Sequence, residues 1–250
     1  IPNEDADISR VLEGSFKRQG IQIMPGAAVQ GIAVNDGQAK VSVSVGESNS
    51  VIDCDKVLVA VGVQGNVDNI GLESVGIETE NSYIKIDDSM SANVPGVYAI
   101  GDVTGKMLLA HVASAQGVTA VETIAGLNPP ALDYSLMPRA IYCKPQVGSF
   151  GLTEEQASQQ GHSIKIGKFP LAASGKALAL GESEGLVKLV VDAEIGEILG
   201  AHMIGPEVTE LLGELSMTRL LEGTTTELGW MVHPHPTMSE TLKEAALAAE

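Results

Sequence analysis

Val97-Tyr98-Ala99-Ile100-Gly101-Asp102 is the stretch from which the fold is read. Val97–Ile100 runs without polar alternation, the pattern of a strand covered on both faces, and Gly101-Asp102 closes it. A carboxylate at the C-terminal end of a buried strand stands where α/β folds take their ligands. The glycine before it permits close approach of a ligand to the backbone. An ionised carboxylate only accepts hydrogen bonds, so Asp102 suits the hydroxyls of a ribose or ribitol. The plainer alternative is an aspartate capping a turn. Upstream, Lys56–Val61 is a second continuous apolar run, ending at Gly62, and it predicts another strand of a parallel sheet. Downstream, Leu108-Leu109-Ala110-His111 leads into a small-residue helix over Ala110–Ala125, stopped by Gly126. The first turn of such a helix offers N–H groups and a positive dipole end that favour negative charge on a reduced ring system.

Working outward, Asp5–Gln19 has helical apolar spacing, with an aspartate to cap its start and Gly20 past its end. Ile21–Met24 reads as a short strand. Val29–Val34, Ala39–Val45 and Ser50–Cys54 alternate as strands, the first two joined by a turn at Asn35-Asp36-Gly37. Residues 63–76 are turn-rich and mark a first boundary. Asn128-Pro129-Pro130 is a linker, with a second boundary near Pro138. Beyond it, Ala140–Cys143 and Val147–Leu152 are predicted strands, and Thr153-Glu154-Glu155-Gln156 is a capping box opening a helix that stops at Gly161. Leu186–Val191 and Ile198–Met203 form a hairpin around Glu194-Ile195-Gly196. Glu207–Leu221 and Met238–Ala249 are helices, and Trp230 and Met231 are expected to anchor the last strand. The expected architecture is α/β in 1–62 and 63–137, followed by an α+β domain over 138–250.

The chain has 250 residues, a net charge of −17 and a pI near 4.6. Such acidity argues against nucleic acid as a partner, because phosphate contacts need Lys and Arg. The longest apolar runs are too short to span a bilayer, so no membrane role is expected. The 2 cysteines, Cys54 and Cys143, are far apart and lack metal-site spacing; no metal site is expected. They suit a reducing compartment, the cytoplasm or an organelle stroma or matrix, as small buried hydrophobes. Ile1-Pro2 is not a natural translation start, so further residues are expected upstream, unless the end is processed or engineered.

The other chemically loaded stretch is His233-Pro234-His235-Pro236-Thr237-Met238-Ser239-Glu240. Each proline pushes the histidine before it out of the helical region, so His235 should project from a stiff, extended segment. Histidine titrates near neutrality, and a carboxylate can orient its ring. Glu240 could equally close a capping box with Thr237. Spacing alone leaves both duties open. His233 reads as structural, and His162 and His202 as isolated surface or core-edge groups.

Ala99-Ile100-Gly101-Asp102, then His111 and Ala115-Gln116-Gly117, resembles the second flavin motif of the pyridine nucleotide–disulfide oxidoreductases. The His233–Glu240 segment is similar to that of the dihydrolipoamide dehydrogenases within that family. The resemblance covers nearly the whole chain. It implies that Asp102 binds the ribityl chain of FAD, with Leu108, Leu109, Ala110 and His111 against the flavin. It implies that Gly62 lies close to NAD and that Val29 makes a backbone contact to its adenosine half. It implies that His235 is the acid–base catalyst, oriented by Glu240, and that it acts on the disulfide site of the other subunit of a homodimer. The reaction implied is oxidation of dihydrolipoamide, or of a lipoyl-bearing protein, with NAD. Within the family the histidine segment favours the lipoamide type over the glutathione type. The sequence departs from the family pattern in lacking a Gly-x-Gly-x-x-Gly loop and a Cys-x4-Cys pair. The expectation is therefore that the missing N-terminal half of the same enzyme supplies them, and that this chain alone is inactive. A non-catalytic dimerisation module is the rival reading.

Overall fold

A computed structural model describes residues 1–249. The chain forms two compact units, Ile1–Ile21 with Asp133–Glu250, and Gln22–Leu132. Helix α1 (Ala6–Arg18) opens the first unit, and Asp5 caps it by accepting the Asp7 N–H at 2.9 Å.

The second unit begins with an antiparallel sheet of β1 (Ala28–Asn35), β2 (Gln38–Val45) and β3 (Ser48–Cys54). Positive φ at Asp36 and Gly37 makes the β1–β2 turn, which matches the twist of the paired strands. Only Ala39 and Val43 of this sheet are buried hydrophobes, while Val29, Ile32 and Val34 face solvent. Helix α2 (Leu72–Val75) and the short strands β4 (Thr79–Glu80) and β5 (Tyr83–Ile84) follow, and Val67, Leu72, Ile84 and Ala99 form a small core. Helix α3 (Ala110–Ile124) ends the unit's regular structure.

The sequence expectation fails here at its starting point. Ile21–Met24 and Lys56–Val61 form no strand, and Leu58 and Val61 are 90% and 92% exposed. Of Val97–Ile100, only Tyr98 makes a bridge, to Ser91, and only Ala99 is buried. The physical reason is one of partners. A parallel strand takes its hydrogen bonds from neighbours in its own sheet. Among the described residues every strand pairing is antiparallel, and none involves 56–61.

The first unit continues through β6 (Arg139–Ile141), β7 (Gln146–Gly151), α4 (Glu154–Gln159), β8 (Ile164–Pro170), α5 (Gly175–Leu180), β9 (Leu186–Asp192), β10 (Ile198–Gly205), α6 (Leu212–Leu220), α7 (Thr225–Trp230) and α8 (Glu240–Leu247). Its sheet is antiparallel, in the order β6-β7-β10-β9-β8. The capping box at Thr153 and Gln156 and the β9–β10 hairpin form as expected. Phe150, Val187, Leu189, Ala201 and Met203 alternate onto one face, packed with Leu215 of α6, Leu228 of α7, and Leu242 and Ala246 of α8. Val147 and Ile204 alternate onto the other face, under Ile8 and Leu12 of α1.

Sandwiching the sheet between helices explains several departures from the sequence reading. His202 on β10 is 0% exposed, so it is neither a surface nor a core-edge group. Trp230 ends helix α7 and is largely exposed; it anchors no last strand. Glu207 has a positive φ, so turns occupy the start of the expected 207–221 helix and α6 begins at Leu212. Among the described residues no helix is long and apolar enough to cross a membrane, and no His, Cys, Asp and Glu group could hold a metal.

Helix α8 lies close on β8 because Gly167 has no side chain. A Cβ there would come within 2.0 Å of the Ala245 carbonyl oxygen. Gly167→Ala is expected to destabilise this unit by about 1–3 kcal/mol through overpacking against fixed backbone. Gly175→Ala, where a Cβ meets nothing within 4 Å, serves as the neutral control in the same denaturant titration.

Candidate active site

The link between α7 and α8 carries the histidine segment, with the buried Met238 holding it to the core. Glu240, the first residue of α8, uses both carboxylate oxygens. One stands 2.9 Å from His235 Nδ1, and the other accepts the Thr237 N–H at 2.8 Å. The histidine partnership therefore forms, whereas the capping box does not: Thr237 Oγ1 is turned away from the helix, and α8 has Ser239 at its N-cap without a side-chain cap. Thr237 Oγ1 donates to the Pro234 carbonyl at 2.7 Å, closing the turn under the ring. The His235–Pro236 peptide is cis. The Thr237 N–H, and next the His235 ring, hold the Glu240 carboxyl below its ordinary range. An anionic Glu240 fixes the ring proton on Nδ1, which leaves the Nε2 lone pair as the basic site. The His235 side chain is 76% exposed, so that nitrogen is accessible to a reactant.

His233 has a different place. Its side chain is buried and its Nε2 lies 2.7 Å from Glu214 of α6, so it ties the link to the helix layer. Trp230, Met231 and Val232 immediately before it are exposed, as are Met217, Leu220 and Leu221 at the end of α6 and just beyond it. An exposed apolar run, Trp230–Val232, thus immediately precedes the histidine segment in the chain.

In the other unit, Gly101-Asp102 begins a 3-10 turn over Gly101–Thr104. Gly101 has φ 75°, and a Cβ there would press on Ala113 of α3 at 3.3 Å. Its N–H donates to the buried Gln116 Oε1 at 2.6 Å, a link that joins the turn to the helix. Gln116 was visible only as a member of the Ala115-Gln116-Gly117 motif. Its signal is a lone amide among small and apolar residues, and it falls on the buried face of α3 with Val112, Thr119 and Ala120. The Asp102 carboxylate is exposed, and Leu109 precedes α3 without a side-chain cap. Leu108, Leu109, Ala110 and His111 gather at that helix start. Gly62 has φ 132° and lies outside any strand, and Val29 is exposed on β1. Against FAD, this donor set fits in part. An exposed acceptor and an open helix start suit a polyol and an anionic ring system, whereas the sequence has no glycine loop to cradle a pyrophosphate.

Two family descriptions match the chain. Pyridine nucleotide-disulphide oxidoreductase matches residues 1–117, and the dimerisation domain of the same family matches 137–246. The chain belongs to the pyridine nucleotide-disulphide oxidoreductases. It is 45% identical over 252 residues to dihydrolipoyl dehydrogenase of Bacillus subtilis, and 50% identical over 246 residues to that of Mycobacterium leprae. These matches take in 100% and 98% of this chain and 53% of each relative, so the chain spans about half the length of the curated relatives it matches. In fold it is similar to LpdA from Mycobacterium tuberculosis, with a TM-score of 0.90 at 24% identity over 98% of this chain and 53% of that one. It is also similar to the HOCl-induced flavoprotein disulfide reductase RclA of Escherichia coli, with a TM-score of 0.89 at 24% identity over 100% of this chain and 57% of that one.

Glu240→Ala removes the acceptor of the Thr237 N–H and is expected to lower stability. Glu240→Gln keeps an acceptor and should cost less. Because the Glu240 carboxyl is held low, its stabilisation is present above the ordinary carboxylate range and is lost as pH falls through the depressed value. Thermal melts of wild type and Glu240→Ala from neutral pH into acid should therefore converge at the acid end.

Proposed function

We propose that this chain is the acid–base and dimer-forming part of an enzyme that oxidises dihydrolipoamide, or a lipoyl-bearing protein, with NAD. The observation that carries the reading is the Glu240 carboxylate shared between His235 and the Thr237 N–H. An oriented, exposed imidazole is a general base for a thiol, since the thiolate is the form that attacks a disulfide. His235 Nε2 takes the thiol proton, Glu240 holds the ring, and Thr237 and Pro234 hold the turn. The two neighbours named dihydrolipoyl dehydrogenase support the choice of substrate.

Family membership implies the use of FAD and NAD. On this reading Asp102 accepts from the ribityl hydroxyls, and Leu108, Leu109, Ala110 and His111 line the flavin. Gly62 and Val29 would meet the nicotinamide dinucleotide. The chemistry supplied by a bound flavin is the passage of an electron pair from dithiol to nicotinamide. In this scheme residues 1–62 belong to an NAD-binding domain, 63–137 to a flavin-contacting region and 138–250 to the dimerisation domain.

The partner of the exposed apolar surface is a second copy. Trp230–Val232 stands beside His235, so a docked copy covers the apolar run and brings its own disulfide site to the imidazole. The test is complementation with an N-terminal chain carrying the cysteine pair and the glycine loops. Turnover of dihydrolipoamide with NAD is expected, and His235→Gln should lower kcat by about 10²–10⁴-fold, the usual worth of a positioned acid–base group. A complemented enzyme without lipoamide turnover, or one indifferent to His235→Gln, overturns the reading. Trp230→Asp combined with Val232→Asp should shift the protein to monomer in sedimentation velocity and abolish turnover, while the unit's fold by circular dichroism is retained.

A further inference from the structure

One face of the five-stranded sheet carries a polar row that the acid–base site does not use. Arg139, Ser149, His202, Lys188 and Lys168 are successive register partners across β6, β7, β10, β9 and β8. They share the face covered by α1, because residues two positions away on the same strands, Val147, Leu186 and Ile204, pack under Ile8 and Leu12. Above the row lies an acidic helix start, Glu4, Asp5 and Asp7. Lys188 is 1% exposed. Its Nζ lies 2.8 and 2.9 Å from the two Asp5 oxygens, 3.0 Å from Asp7 and 2.6 Å from Glu154. Lys168 reaches Asp7 at 2.6 Å, and Arg139 reaches Glu4 at 3.3 Å. Asp5 also caps α1 and accepts the Glu154 N–H at 3.3 Å.

The two ends of these contacts belong to different family domains. α1 falls in the oxidoreductase match over 1–117, whereas the sheet falls in the dimerisation match over 137–246. By contact, α1 nonetheless belongs with the sheet. We propose that the basic row is a charge-specific clamp, which reads the acidic N-terminus of α1 and ties the nucleotide-binding part of the enzyme to its dimer-forming part in one register.

Apolar packing of Ile8 and Leu12 is non-directional and would hold the helix at several rotations or offsets. A buried ammonium is less tolerant, because it must be paired and fully hydrogen-bonded. Three carboxylates converging on one Nζ meet that demand in a single helix position. The groups facing the clamp balance in charge: Lys188, Lys168, Arg139 and Arg10 against Glu4, Asp5, Asp7 and Glu154. Burial pushes the His202 imidazolium down, so His202 stays neutral and does not upset that balance. For Asp5, burial acts upward but is outweighed by Lys188, and its carboxyl sits below the ordinary range; Asp7, bonded to Lys168, is held very low. The clamp's contribution is therefore present above the ordinary carboxylate range and lost as pH falls through these depressed values.

Hydrogen–deuterium exchange on the full chain tests the clamp. Lys188→Met leaves the buried Asp5 carboxylate without its cation, and Asp5→Asn takes from Lys188 the most buried of its three carboxylates; each is expected to speed exchange of α1 amides by about tenfold or more, with β9 and β10 unchanged. The double variant removes the orphan and should return α1 to within about threefold of wild type. Single variants with unchanged α1 exchange, helix and sheet opening together, or a double as open as the singles would each overturn the clamp. Should the Lys188 and Asp5 variants not fold, Asp7→Asn at the rim takes their place. It should open α1 alone, and an unchanged α1 there overturns the proposal.

Discussion

Burial of one antiparallel sheet on both faces is the constraint from which the rest of the first unit follows. β10 lies between β7 and β9, and its residues alternate between two helix layers. Helices α6, α7 and α8 fill one side, so the α7–α8 link must cross the rim of that layer. Met238 is buried and Gly167 lets α8 close on β8, which fixes where Glu240 begins its helix. The carboxylate that orients His235 is thus set by core packing, with the exposed imidazole resting on a rigid base. That is the arrangement a positioned acid–base group needs, because a small displacement of such a group is costly in rate.

Features written in local chemistry were legible in the sequence. The Asp36-Gly37 turn, the Thr153 capping box and the β9–β10 hairpin depend on residues within a few positions of one another, and all form as read. Lys56–Val61 and Val97–Ile100 were read as strands from their own composition, but a strand exists only with a neighbour. Strand β8 was missed because Lys165, Gly167 and Lys168 dilute its alternation, and its place is secured by pairing with β9. Polar groups on buried faces were the least legible. Lys188 finds Asp5 and Asp7 more than a hundred residues earlier in the chain, and His202 meets the Leu152 carbonyl across the sheet, so neither partnership is written in local sequence.

The candidate site shows the same division. The segment carrying His235 and Glu240 was readable as a motif, but spacing could not choose between a helix cap and a histidine partner. The two carboxylate oxygens meet His235 Nδ1 and the Thr237 N–H, while α8 begins after Ser239 without a side-chain cap, so the histidine partnership forms and the capping box does not. At the flavin-side motif the sequence drew attention to Asp102. The structure adds Gln116, which holds the Gly101 N–H and so sets the backbone from which Asp102 projects.

The exposed apolar tracts in the two units differ in what they still lack. Beside Trp230–Val232, His233 Nε2 is bonded to Glu214 and Glu240 to His235 and Thr237, while the buried His233 Nδ1 has no protein partner. A surface of this kind is of the sort that marks an interaction site. Val57–Val63 is apolar too, yet it lies outside every strand, so its backbone groups have joined no ladder. Backbone donors and acceptors that are to be buried must be paired, and apolar side chains alone do not pair them.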